Sequence, residues 1–239
     1  MYLNFITSFV TFLIYSFGGY IMEVLICSFE QKHWVNRGFL FGPICPIYGV
    51  GALLVVWGLS RYYDNPVIIF VLGTIITSGV EYYTSYIFEK IFNNKWWDYS
   101  DRPDSLNGRI CLGNCLGFGV GSLLIIYLFN PLIKMFIGMF SAKTIIIGGT
   151  VCLILMIFDL IGSGIIAYNL RSRLIVAEEL KHEKIKMIPS LLEKKYHNQL
   201  SKIKYTTNRL IKVYPEMAHN LRKELDLVKK MLIDLKKKK

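Results

Sequence analysis

The chain has 239 residues, 53% of them hydrophobic and 19% charged, with a formal net charge of +11. Its mean hydropathy is +0.40, and the apolar share lies above that of an ordinary soluble domain. The five cysteines all fall in or beside apolar runs, so no disulfide framework is implied.

The apolar residues are grouped in runs long enough to cross a bilayer, which takes about 20 residues per helix. Five spans are predicted, near 3–29, 44–60, 67–92, 110–129 and 144–170. The expected fold is an all-α polytopic membrane protein, with a transmembrane domain over 1–170 and a basic cytosolic helical tail over 171–239.

The first run has no basic segment before it and no small-residue cleavage site, so it is expected to stay as a membrane helix rather than a signal peptide. Gly18-Gly19 sits at its middle and Glu23 follows one turn later. A carboxylate at that depth costs about 2.5–3.5 kcal/mol on insertion scales, so it must face protein or water, or be protonated. Then comes Phe39-Leu-Phe-Gly-Pro-Ile-Cys-Pro-Ile-Tyr-Gly-Val-Gly51, whose prolines and glycines will not make a regular helix start. Two readings stay open. It is a broken or re-entrant element covered by protein, or a surface loop with Pro46 in the first helical turn.

In the third run Thr74, Thr77, Ser78 and Glu81 fall three to four apart, which predicts one polar stripe. Tyr82, Tyr83 and Tyr86 suit an approach to the membrane interface. The next loop, Lys95 to Cys111, is the most distinctive polar stretch. Trp96, Trp97 and Tyr99 suit the headgroup zone. Asp98, Asp101 and Asp104 can pair with Arg102 and Arg109, and Asn107-Gly108 is a strong turn signal. The preferred reading is a folded interfacial plug or docking loop. Cation or substrate binding is the alternative, although the spacing lacks the Ca²⁺-loop pattern.

In the fourth run Gly113, Gly117 and Gly121 form a small-residue stripe for close helix packing, and Pro131 is expected to end the helix. Cys111 and Cys115 share a face, but no ligands at metal-site spacing accompany them. The fifth run carries Asp159, a third intramembrane acid. Beyond Leu170 the hydropathy collapses. A seam from Leu200 to Leu235 at spacings of three and four reads as amphipathic helix or coiled coil.

One pattern recurs. Cys45-Pro-Ile-Tyr-Gly-Val-Gly-Ala-Leu-Leu54 returns as Cys115-Leu-Gly-Phe-Gly-Val-Gly-Ser-Leu-Leu124. Each copy follows a helix with an internal glutamate, Glu23 or Glu81. This predicts a parallel two-helix internal repeat about an axis along the membrane normal.

Trp97-Asp-Tyr-Ser with Leu106-Asn-Gly-Arg-Ile-Cys111, together with Gly38-Phe-Leu-Phe-Gly-Pro-Ile-Cys-Pro-Ile-Tyr-Gly49, resembles the bacterial membrane family known as "putative ABC-transporter type IV permease". The resemblance covers roughly residues 10–170. It implies a transport permease, and since the chain has no nucleotide-binding P-loop, an ATPase on a separate chain.

Residues 1–170 carry nine Lys/Arg and nine Asp/Glu, against 19 and eight in 171–239. The positive-inside rule therefore puts the tail in the cytoplasm. Five spans then place the N-terminus outside, in the cell membrane.

The expected function is a permease-like transport component of unknown substrate. Its pathway residues are expected to be Glu23, Glu81, Asp159, Thr77 and Ser78, and its polar loop Trp97, Asp98, Tyr99, Arg102, Asn107, Gly108 and Arg109. The alternative is a non-transporting scaffold or regulator whose tail recruits a partner. A membrane enzyme built on Asp98, Asp101 and His33 is the third reading. No spacing specifies a reaction, so the expectation is no enzyme, no cofactor and no metal. Expected partners are the lipid bilayer and a separate ATPase or cytosolic protein through 171–239. A homo-oligomer stays open. Nucleic acid is not expected, because the basic residues match no recognition motif.

Overall fold

The computed structural model describes residues 1–32, 38–92 and 95–182. His33, Trp34, Arg37 and the predicted coiled-coil seam from Leu200 to Leu235 lie outside the described residues. The helices are α1 (Tyr2–Gln31), α2 (Pro46–Leu59), α3 (Pro66–Phe92), α4 (Leu112–Leu124), α5 (Asn130–Gly138) and α6 (Ala142–His182). A two-stranded hairpin, β1 (Ser105–Leu106) and β2 (Ile110–Cys111), interrupts the helical pattern before α4.

Among the described residues four helical stretches, not five, are long and apolar enough to cross a membrane: Tyr2–Phe29, Pro66–Phe92, Leu112–Gly138 and Ala142–Tyr168. No single helix of spanning length covers the predicted span at 44–60. α2 has 14 residues, about 21 Å of helix against a hydrocarbon layer of about 30 Å. Pro46 opens α2 and Pro43 precedes it, so the chain upstream cannot continue the helix.

The irregular segment Gly38–Cys45 nevertheless lies deep against other elements. Leu40 is fully buried. The Cys45 amide donates to the Ser16 carbonyl in the middle of α1, at 3.0 Å. The Phe41 and Gly42 amides donate to the two carboxylate oxygens of Asp159, at 2.7 and 2.6 Å. The Ile44 amide closes on the Gly42 carbonyl at 2.9 Å. Pro43 and Pro46 have no N–H, so every backbone donor from Phe41 to Pro46 is satisfied without water. That is the condition for irregular backbone in an apolar layer. From the level of Ser16 and Gly19, α2 runs antiparallel to α1, and its Trp57 and Ser60 end faces the same cavity as Leu3 and Thr7.

The fourth span also differs from expectation, since Pro131 does not end it. A π-helical turn at Ile125–Phe129 joins α4 to α5, with the Asn130 amide bonded to the Ile125 carbonyl. This i→i+5 turn takes the chain past the proline, whose own N–H is missing, and the helix goes on to Gly138. Val55 and Leu59 of α2, Ile69 of α3 and Ile126 of the π turn form the buried apolar cluster.

The glycine stripe is reassigned as well. A Cβ at Gly117 or Gly121 would meet nothing within 4 Å, whereas one at Gly119 would overlap Thr74 and Phe70 of α3. The α3–α4 contact therefore runs through Gly119 and the buried Ser122.

Only 6% of the apolar window of α6 is buried, so most of its surface faces an apolar solvent or a partner, as in a helix hydrophobic all round. α6 continues as one helix past the predicted domain boundary at 170, through His182. Two compact units are distinguished, Met1–Ile87 with Asp98–Ile161, and Phe88–Trp97 with the segment from Gly162. In the second, Trp96 is 3% exposed and packs its ring 5.0 and 5.2 Å from those of Phe88 and Phe92. It is thus an aromatic core residue rather than an interfacial one.

Two predictions follow from the packing. Gly119→Ala should destabilise the purified protein by about 1–3 kcal/mol through overpacking. Gly117→Ala and Gly121→Ala should stay within about 0.5 kcal/mol. Equal losses for all three on denaturant titration in micelles would contradict this packing. Asp159→Ala should expose the Phe41 and Gly42 amides, seen as faster hydrogen exchange confined to segment 38–45; unchanged exchange there would refute the anchoring role.

Candidate functional site

The glutamates of α1 and α3 each meet a tyrosine. Tyr48 Oη donates to Glu23 Oε2 at 2.5 Å. The Cys27 thiol, one turn after Glu23, donates to Oε1 at 3.8 Å. Tyr48 reaches its partner by lying directly across Gly19, where any Cβ would overlap the ring. Tyr99 Oη donates to Glu81 Oε1 at 3.3 Å. Glu81 is 7% exposed, and its Oε2 is buried with no hydrogen-bond partner among the described residues. One turn earlier, Ser78 Oγ is buried in the same unpartnered state.

The predicted polar stripe divides. Thr74 and Thr77 donate their hydroxyls back to the Phe70 and Gly73 carbonyls, at 2.8 and 2.6 Å. Both are thus spent on their own helix, which leaves the Ser78 hydroxyl and one oxygen of Glu81, Oε2, unsatisfied among the described residues.

The two pairs converge. Glu23 lies close enough to Glu81 for their charges to interact. Tyr99, in the loop, records this directly. Burial first, then the carboxylates of Glu81 and Glu23, push its phenol above the ordinary value. Each of these causes disfavours a phenolate, so Tyr99 is held as a neutral hydrogen-bond donor. Asp159 serves differently, binding the backbone of Phe41 and Gly42.

The loop that delivers Tyr99 is folded, as its sequence indicates. The Tyr99 amide donates to the Gly108 carbonyl at 2.8 Å, and the Arg109 amide closes the turn onto Leu106 at 3.0 Å. Asn107 and Gly108 have φ of 56° and 69°, the pair of left-handed residues a type I′ hairpin turn requires. Asn107 Nδ2 donates to Tyr82 Oη at 2.9 Å. The Arg109 guanidinium stands 5.4 Å over the rings of both Tyr82 and Tyr86, in cation–π range.

The other polar residues of the loop shape it further. Arg102 Nη1 donates to Cys111 Sγ at 3.7 Å. Asp104 accepts the Leu112 amide at 2.9 Å, placing a negative charge at the start of α4 where the helix dipole favours it. Asp98 accepts the Ser100 amide at 3.0 Å. Trp97 is half-buried.

The two similar segments, 45–54 and 115–124, have matching surroundings at one glycine each. A Cβ on Gly49 would overlap Ser16 and Phe12, and one on Gly119 would overlap Thr74 and Phe70. Ser16 and Phe12 lie seven and eleven residues before Glu23, and Thr74 and Phe70 lie seven and eleven before Glu81. Tyr48 falls in register with Phe118, which has no hydroxyl. The donor to the second glutamate comes instead from the loop, as Tyr99.

Sequence reasoning picked out Glu23, Glu81 and Tyr99 but missed Tyr48 and Gly19. The signal available for Tyr48 was its place in the first copy of the repeat, three residues after Cys45.

A family model described as "Putative ABC-transporter type IV" matches residues 10–163. Neither the curated proteins nor the solved structures contain a match to the chain.

The Tyr99–Glu81 contact should appear as a coupling of about 1 kcal/mol in a double-mutant cycle of Tyr99→Phe and Glu81→Gln. The readout is unfolding of the protein in micelles. Strict additivity would dismiss the pair.

Proposed function

Because the chain belongs to the "Putative ABC-transporter type IV" family, we propose that it is a membrane transport component whose polar centre is formed by Glu23–Tyr48 and Glu81–Tyr99. The observation that carries this reading is Glu81 Oε2, buried and unpartnered beside an equally unpartnered Ser78 hydroxyl. A carboxylate oxygen in an apolar layer needs a donor or a cation. A transported proton, cation or polar group would supply it. Glu23, with its tyrosine already engaged, flanks the same centre.

The matching contacts of Gly49 and Gly119 support a duplicated unit of glutamate helix, loop and glycine-bearing helix, repeated in parallel. In this reading the segment 38–62 completes a second pass of the membrane, part irregular backbone and part α2. With the four long helices that makes five passes. The termini then lie on opposite sides, and the 19 Lys/Arg of residues 171–239 put the tail in the cytoplasm. ATP hydrolysis is assigned to a separate subunit recruited through the tail, and no catalytic step to this chain.

The test is flux in proteoliposomes, with protons, Na⁺ and K⁺ each driven across the membrane. Glu81→Gln keeps the shape of the side chain and removes its charge. It should lower the flux of the transported ion by at least about tenfold, equivalent to about 1.4 kcal/mol, while insertion and yield stay unchanged. Full flux in that variant would end the carrier reading. Loss of the cellular phenotype on deleting 171–239, with Glu81→Gln tolerated, would establish the scaffold role instead.

A further inference from the structure

At the other end of α2 from the Glu23–Tyr48 contact, near the N-terminal end of α1, is a cavity of about 620 Å³. Its size falls in the range of small-molecule sites. Thr7 of α1, Leu53 and Trp57 of α2, Asn130 and Lys134 of α5 and Phe140 beyond it are among its walls. Lys134 is the one cation among the lining residues, and no carboxylate joins it. Asn130 is 7% exposed and lies one turn from Lys134 on the same helix face. A buried amide and an ammonium thus look into one space.

The rim is apolar. Trp57 is 64% exposed, and Phe140 and Leu3 are also exposed. Exposed apolar side chains of this kind in a membrane-spanning chain suit contact with lipid rather than water. A ligand reaching it needs an apolar body as well as an anionic head.

We propose that this cavity binds one anionic phospholipid, its headgroup phosphate on Lys134 and Asn130 and its upper acyl chain against Leu53 and Trp57. The chemistry of the walls is separated as such a molecule requires. Thr7, Ser8 and Thr11 add hydroxyls on the α1 side, while Leu53, Val56 and Trp57 of α2 present carbon and a ring, with the Ser60 hydroxyl at the end of that helix. A tryptophan and a lysine near helix ends also mark the headgroup level. This inference stands apart from the glutamate centre and does not depend on transport.

The test is lipid retention by native mass spectrometry, using full-length protein from nanodiscs of phosphatidylcholine containing phosphatidylglycerol. The intact protein should keep phosphatidylglycerol over phosphatidylcholine by about fivefold, the worth of one near-surface cation toward an anionic lipid. Lys134→Met should bring the ratio to about one, and Asn130→Leu should lower it. Arg61→Gln and Lys143→Gln, which change nearby cations outside the cavity wall, should leave it unchanged.

Equal retention of the two lipids overturns the proposal, as does an unaltered ratio in Lys134→Met. An equal fall in the Arg61 or Lys143 variants would mean diffuse surface charge. Displacement of the bound lipid by inorganic phosphate alone would mean a free-anion site, and would overturn the lipid assignment.

Discussion

A polar atom inside an apolar layer has to find its partner within the protein, and the architecture of this chain follows from that constraint. The long helices satisfy their own backbones. The segment before α2 cannot, because its prolines forbid helix. It is tolerated because Asp159 takes two of its amides, Ser16 takes a third, and the prolines present none. The acid in α6 is therefore part of the scaffold that lets α2 begin at mid-depth. That starting depth, in turn, sets Tyr48 opposite Gly19 and Glu23.

The same constraint bears on both glycine-bearing segments. Each docks against a helix through a small hydroxyl residue and a phenylalanine. Each docking lies two turns before a glutamate of that helix. In α2 the docking helix itself carries a tyrosine, Tyr48. α4 has Phe118 at the corresponding place, and the phenol comes instead from the loop between α3 and α4. The polar loop thereby has a clear structural task. Its turn, its Arg109 over two tyrosine rings and its Asn107 contact all fix the position of one hydroxyl.

The features legible in the sequence were those set by local composition. Long apolar runs gave α1, α3 and α6, and the Asn107-Gly108 pair gave the hairpin turn. Glu81 stood out because a lone carboxylate in such a run is costly. Features set by partners distant in sequence were not legible. Whether Thr77 serves the carboxylate or its own helix depends on a rotamer, and it back-bonds to Gly73. Which face of the glycine-rich helix meets α3 depends on docking, so the four-residue stripe pointed to Gly117 and Gly121 while Gly119 makes the contact. The apolar run at 44–60 has the composition of a span, but the direction of chain entering it is decided by Pro43, Pro46 and an acid more than a hundred residues away. Pro131 read as a stop signal because proline breaks an α-helix, and the π turn removes that conflict.

The π turn has a bearing on how this span tolerates change. An α-helix advances by about 100° per residue, so one residue more or less rotates everything beyond it by that angle. Ser122, Ile126 and Asn130 are all buried at intervals of four. Their shared face persists because the chain widens between Ile125 and Phe129. A one-residue deletion there would leave the span just as apolar and a more regular helix. It would keep the Asn130 and Lys134 face toward α1 and α2, because the π turn absorbs that one residue; a regular α-helix holding all the residues would turn the face away. The irregularity is therefore the indexing mark of the fourth span: it sets the phase in which two membrane depths of one helix address different neighbours.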